Sequence, residues 1–351
     1  MWRSRLGAVR TGRTRIRTIV ASVAAITLAA TLGACGSASG SSEPTITLYN
    51  AQHKELGREW VDGFTKETGI KVEVRDGKDF ELANQILAEG DASPADVFLT
   101  ENSPAMSLLS SKGVLAPLDA ATIAQVPARY RSGAEDWVGI AARSTVLVYN
   151  PSLLPADQLP NSIMELSQPQ WKDRIGIAAG GADFQAIVSA VYAVNGDAAA
   201  GEWLAGLKQN ARVYQGNIPI MNAVNAGEIP AGVIYHYYWY RDRAESGQDS
   251  KNTELKYFGD KDAGAFVSVS GGGVLRSAKH PAEAQRFIAY LTSKSGQQVL
   301  AESYALEYPV GSDVPANKAL KPLSELDPPA IDPNTLNGSK VISEMQRVGL
   351  L

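Results

Sequence analysis

The stretch TITLYNAQHKELGREWVDGFTKETGIKVEV, residues 45–74, decides the fold because the period of its apolar side chains changes twice. Thr45 to Ala51 is rich in β-branched and aromatic residues and reads as a strand. Leu56, Trp60, Phe64 and Ile70 then mark an amphipathic helix that should stop near Gly69. Lys71 to Val74 alternates again, as a second strand.

Downstream the pattern repeats. Phe80 to Leu87 supplies a helix closed by Gly90, Ala95 to Thr100 a buried strand, and Ser103-Pro104 the start of a third helix, with the serine as its cap. Strand and helix in strict alternation predict an α/β fold with a parallel, doubly wound sheet. Such sheets bind ligands outside the carboxyl ends of their strands. His53 and Glu101 lie just past two of those ends.

Leu115 to Asp136 is loop-rich, and Val138 to Tyr149 is long enough to cross between two lobes. A second α/β set opens with the strand Arg174 to Ala179. Gly180-Gly181 and helices over 184–194, 198–207 and 218–226 follow. Phe266 to Leu275 reads as a return crossing kinked at its glycines, before helices over 281–291 and 296–304. The tail from Pro309 is proline-rich and carries a last helix near 340–348. Two crossings imply two doubly wound sheets joined by hinge strands, with a cleft between them. The expected lobes are 44–142 plus about 268–309, and about 143–267 plus 310–351. A chain of 351 residues suits two such cores better than one.

Between the crossings lies AGVIYHYYWY, residues 231–240, which holds four of the 13 tyrosines. Its apolar start reads as a buried strand, so the phenols fall at a carboxyl end, on the opposite wall from His53 and Glu101. Taken alone, the cluster reads as packing, since tyrosine fills cores and its hydroxyl finds one partner. His53 alone reads as a helix-end histidine, and Glu101 as a solvated loop carboxylate. Neighbouring residues on a strand point to opposite faces. Tyr237 and Tyr238 can act together only where the strand turns into a helix, expected near Trp239.

The first 34 residues are a targeting segment. Six arginines and no acid precede the apolar run from Ile19 to Ala34. Leu32-Gly33-Ala34-Cys35 resembles the lipobox of bacterial lipoproteins, so Cys35, the sole cysteine, is expected to be acylated. Residues 36–43 follow it as a flexible tether. The protein is therefore expected on the extracytoplasmic face of the cell membrane, held by lipid alone. Without the leader, 27 basic residues face 37 acidic ones, a net charge of −10, which argues against nucleic acid as a partner and is compatible with a cationic ligand.

One imidazole, one carboxylate and two phenols form a nitrogen-and-oxygen donor set. With no thiolate available, it suits a hard, highly charged cation. If both phenols ionise, Glu101, Tyr237 and Tyr238 carry three negative charges, which balance a ferric ion. Phenols titrate at about 10, and only a cation of that charge would strip them near neutrality. An aromatic cage for a polyamine or thiamine, an oxyanion site, a metal-dependent enzyme and a sensor-coupled lipoprotein are the competing readings. No HExxH or GxSxG motif supports an enzyme.

Tyr49 to Glu55, Ser93 to Phe98 with Glu101, Trp137-Val138 with Ala142-Arg143-Ser144, and Tyr237-Tyr238-Trp239 together resemble the periplasmic ferric-ion-binding proteins of ABC transporters. The resemblance runs over about residues 45–310 in unbroken motif order. It implies a two-lobed class II periplasmic-binding-protein (transferrin-like) fold, a monomer that carries Fe(3+) to an ABC permease. Iron would be held by His53, Glu101, Tyr237 and Tyr238. A small synergistic anion would complete the shell near Arg143, Gly181, Ala182, Asn217, Tyr235 and Asn102. Here the sequence departs from the pattern: Gly180 replaces a serine, Tyr235 an asparagine and Asn102 a glutamine. Weak dependence on the anion is the expectation, with phosphate, carbonate and citrate all accepted.

Overall fold

Residues 44–351 are described by the computed structural model; the leader, Cys35 and the tether lie outside the described residues. Thr45–Asn50 forms β1, Lys54–Thr68 forms α1 and Lys71–Asp76 forms β2. Helix α1 buries Leu56, Trp60 and Phe64 completely, and side chains of that size each stabilise by roughly 1.5–3 kcal/mol. It stops at Gly69, whose φ of 74° is left-handed and unfavourable for any residue with a Cβ.

Asp79–Glu89 is α2, Val97–Leu99 is β3 and Ser103–Ser111 is α3. Ser103 does not cap α3 as expected; it lies inside the first turn and Asn102 holds the cap position. A short α4, Ala120–Ala124, precedes the 13-residue strand β4, Trp137–Tyr149. Ile175–Ile177 forms β5. The two helices expected over 184–194 and 198–207 are one segment, α5, Ala182–Asn210, broken at Gly196 where φ reaches 77°.

Ala211–Val213 is β6, Asn217–Ala226 is α6, Ala231–Tyr235 is β7 and His236–Glu245 is α7. Glu254–Lys256 is β8 and Val267–Val274 is β9. Pro281–Thr292 is α8, Lys294–Glu302 is α9, Tyr308–Pro309 is β10 and Gly338–Arg347 is α10.

The strands form one mixed sheet in the order β2-β1-β3-β9-β4-β7-β5-β6, with β8 and β10 also on β4. Strands β1, β2 and β3 are parallel to one another, as are β5, β6 and β7. The crossing strands are antiparallel: β4 pairs with β9 from Trp137 to Ser144, then with β7 from Thr145 to Tyr149. One strand thus belongs to both halves. The carboxyl ends of β1, β3, β5, β6 and β7 all open toward the place where it passes between them.

Each half has its own core. Ile46, Leu48, Trp60, Val97 and Phe287 pack in the first, and Leu147, Ile175, Phe184, Trp203 and Met345 in the second. Val146 and Val148 face the other side of β4, against Ile220 and Val224 of α6. The tail serves both halves: Val310, Leu320 and Leu326 join the first core, and Leu336, Val341 and Leu350 the second. Among the described residues no helix is long and apolar enough to cross a membrane.

Candidate metal centre

His53 and Glu101 are held from below by one hydroxyl. Ser270 of β9 donates to the Glu101 carbonyl at 3.0 Å and accepts from Gln52 Nε2 at 2.7 Å. Gln52 Oε1 in turn accepts the His53 N–H at 2.8 Å. The result sets the His53 imidazole 3.9 Å from Glu101 Oε1. The backbone N–H groups of Glu101 and Asn102 are gripped by the two oxygens of Asp79, at 2.8 and 2.9 Å. Burial and the nearby Glu101 charge push Asp79 up to about 8.

The tyrosine pair solves its geometric problem by leaving the strand early. Strand β7 ends at Tyr235 and α7 begins at His236, three residues before the helix start expected at Trp239. In a helix, consecutive residues are about 100° apart rather than opposed, so Tyr237 and Tyr238 project together. Their rings stack at 4.1 Å. The Tyr237 hydroxyl donates to Glu101 Oε1 at 3.0 Å, and its ring meets His53 edge-on at 5.1 Å. The Tyr238 hydroxyl donates to Asp183 Oδ2 at 3.0 Å. Burial and the charges of Asp183 and Glu101 hold both phenols well above their ordinary pKa.

Asp183 was not singled out from the sequence. It sits in the first turn of α5, where an acidic residue needs no explanation beyond the helix dipole. Its carboxylate is buried and accepts from three side chains: Asn102 at 3.0 Å, Asn217 at 2.8 Å and Tyr238. Burial and Glu101 raise it to about 7. A cavity of about 550 Å³ opens here, bounded by Glu101, Gly180, Gly181, Ala182, Asn217 and Tyr238.

The remaining candidates take other places. Tyr235 is fully buried, and its hydroxyl donates to Asn102 Oδ1 at 3.2 Å. That oxygen also accepts from Ser268 of β9 at 2.7 Å. Arg143 is completely buried behind the tyrosines, with Nη2 2.6 Å from Glu307 Oε2 and its guanidinium 5.8 Å above the Tyr237 ring. His236 stands apart, accepting the Ser144 N–H through Nδ1 at 3.1 Å; burial drives it down to about 4 and keeps it neutral.

Chemically this is a nest of hard donors: two phenols, two carboxylates and an imidazole, drawn from the ends of β1, β3 and β7 and the start of α5. Each phenol already rests on a carboxylate, so a cation entering between them would displace phenolic protons. Such a set fits a trivalent, oxygen-seeking ion better than a soft one.

The profile of the family described as bacterial extracellular solute-binding protein matches residues 92–331. The Fe(3+)-binding periplasmic protein of Serratia marcescens is 53% identical over 313 residues, 89% of this chain and 93% of that protein. The crystal structure of iron-bound HitA from Pseudomonas aeruginosa superposes with a TM-score of 0.82 at 44% identity, covering 87% of this chain and 99% of that one. A Trichodesmium protein (IdiA, FutA) in complex with iron and citrate superposes with a TM-score of 0.76 at 29% identity, over 87% of this chain and 99% of its own.

Proposed function

This chain belongs to the bacterial extracellular solute-binding proteins, among their ferric-ion-binding members, and we propose that His53, Glu101, Tyr237 and Tyr238 are its iron ligands. It is a binding component for ABC uptake and not an enzyme: it captures ferric iron in the cleft and delivers it to a permease. The observation that carries the ligand assignment is the convergence of the four side chains. Tyr237 meets Glu101 at 3.0 Å, Glu101 stands 3.9 Å from His53, and Tyr238 stacks on Tyr237 at 4.1 Å.

We infer that Asp183 adds a donor to the shell beside any small anion. Asp183 brings its own carboxylate to the ground between Gly181, Ala182 and Asn217, where the helix starts would welcome an anion. On this reading Asp183 supplies part of what phosphate, carbonate or citrate would supply. Arg143 is paired with Glu307 through Nη2, and Tyr235 braces Asn102. Carriage on the outer face of the membrane through a lipid on Cys35 belongs to the same proposal.

The test is a titration of the purified protein with ferric nitrilotriacetate, followed in the visible. A phenolate charge-transfer band that saturates at one iron per chain is the expected result. Absence of the band, with stoichiometric binding of spermidine or thiamine instead, would replace iron by an organic cation.

A further inference from the structure

Tyr304 lies between α9 and β10 and packs against the core of the first half. Its hydroxyl donates at 2.9 Å to Oε2 of Glu55, in the first turn of α1. Its ring is 6.4 Å from the imidazole of His53, which also has Tyr237 at 5.1 Å. The guanidinium of Arg241 lies over the Tyr304 ring, 4.4 Å from its centroid. Arg241 stands on α7 one turn beyond Tyr237, on the same side of that helix. Helix α7 continues directly from β7, so the cation comes from the second half and the ring from the first.

We propose that Arg241 and Tyr304 form a clasp between the two halves, which holds the cleft closed on the His53 side and slows escape of the bound cation. The proposal rests on the ferric reading of the cleft. A guanidinium is attracted to the negative face of a phenol ring, and the hydrogen bond to Glu55 keeps that face turned toward Arg241. None of the three residues is among the proposed iron donors. Their contact therefore survives when Tyr237 and Glu101 exchange their mutual hydrogen bond for a metal. A hinge motion that parts the halves would pull Arg241 off the ring. The clasp thus opposes opening without entering the coordination shell.

The experiment loads the full chain with ferric nitrilotriacetate and follows loss of the visible band after mixing with excess EDTA. Arg241→Ala and Tyr304→Leu should each release iron about two- to fivefold faster, with the band itself unmoved. The double variant should be no faster than the faster single one. Arg241→Lys, which keeps the cation, and Tyr304→Phe, which keeps the ring, should each recover part of the loss. Wild-type release rates, additive effects in the double variant, or a shifted band would each overturn the clasp. Amide hydrogen exchange of the metal-free protein gives a reading that needs no iron. Tyr304→Leu should speed exchange in the first turn of α7, and unchanged exchange there would also overturn the proposal. If wild type takes up no iron, the ferric reading fails instead, and the exchange comparison alone decides whether the clasp holds the halves together.

Discussion

The hydroxyl of Tyr238 lies 3.0 Å from Asp183 Oδ2, so a phenol expected to ligate iron is already paired with a carboxylate from the start of a different helix. Asn102 reaches the same carboxylate from the opposite wall at 3.0 Å. The cleft therefore contains a built-in acid beside the starts of α5 and α6.

Replacing that acid should expose a need for an anion. Asp183→Ala is expected to bind ferric iron at least about tenfold more weakly in anion-stripped buffer, about 1.4 kcal/mol. Phosphate, carbonate or citrate should restore much of the loss, whereas wild type should change little among them. Titrations with each anion added back in turn check this. Strict dependence of the wild type on one anion would contradict it.

The two tyrosines should be separately visible. Tyr237→Phe and Tyr238→Phe remove one hydroxyl each and leave the stacked rings in place, so both proteins should fold. Each should bind iron more than about tenfold more weakly and shift or lose the visible band. Glu101 and Asp183 would each retain other contacts, so thermal melts should move little. Unchanged spectra in both variants would remove the tyrosines from the coordination shell.

Stability and affinity should run in opposite directions with pH. Asp79 and Asp183 are raised to about 8 and about 7 by burial and by Glu101. The pKa of His53, which burial alone would lower, is raised by Glu307 and Glu101. All three bind protons more tightly in the folded state, so the metal-free protein should lose stability as pH rises from about 5 to about 8. Iron binding must displace protons, so ferric affinity should strengthen over the same range. Melting curves of the metal-free protein across that range check the first trend, and Asp79→Asn should flatten it. Chelator competition checks the second.

Membrane attachment should depend on one atom. Cys35→Ala is expected to leave the protein uncleaved or soluble, and intact mass should show a diacylated cysteine in the wild type. An unmodified Cys35 in the mature protein would remove the anchor from the account.

How far the sequence reached is clearest at the strand ends. The change of period over residues 45–74 and the glycine at 69 were enough to place β1, α1 and β2, because they depend on neighbours a few residues apart. His53 and Glu101 could be assigned to the cleft because a parallel sheet puts every carboxyl end on one side. The tyrosines could be assigned to the opposite wall, but not their direction. That depended on α7 starting at His236, a matter of backbone packing against β4 that no local pattern announces. Asp79, Asp183 and Glu307 stayed invisible for the same reason. Their partners lie far along the chain: Asp183 meets Asn102 from 81 residues away, and Glu307 meets Arg143 from 164. Local periodicity therefore determined which elements form and at which edge the donors lie. Which carboxylates are buried, and against what, was decided only when the two halves closed around β4 and β9, because a buried charge takes its role from the groups folding brings to it.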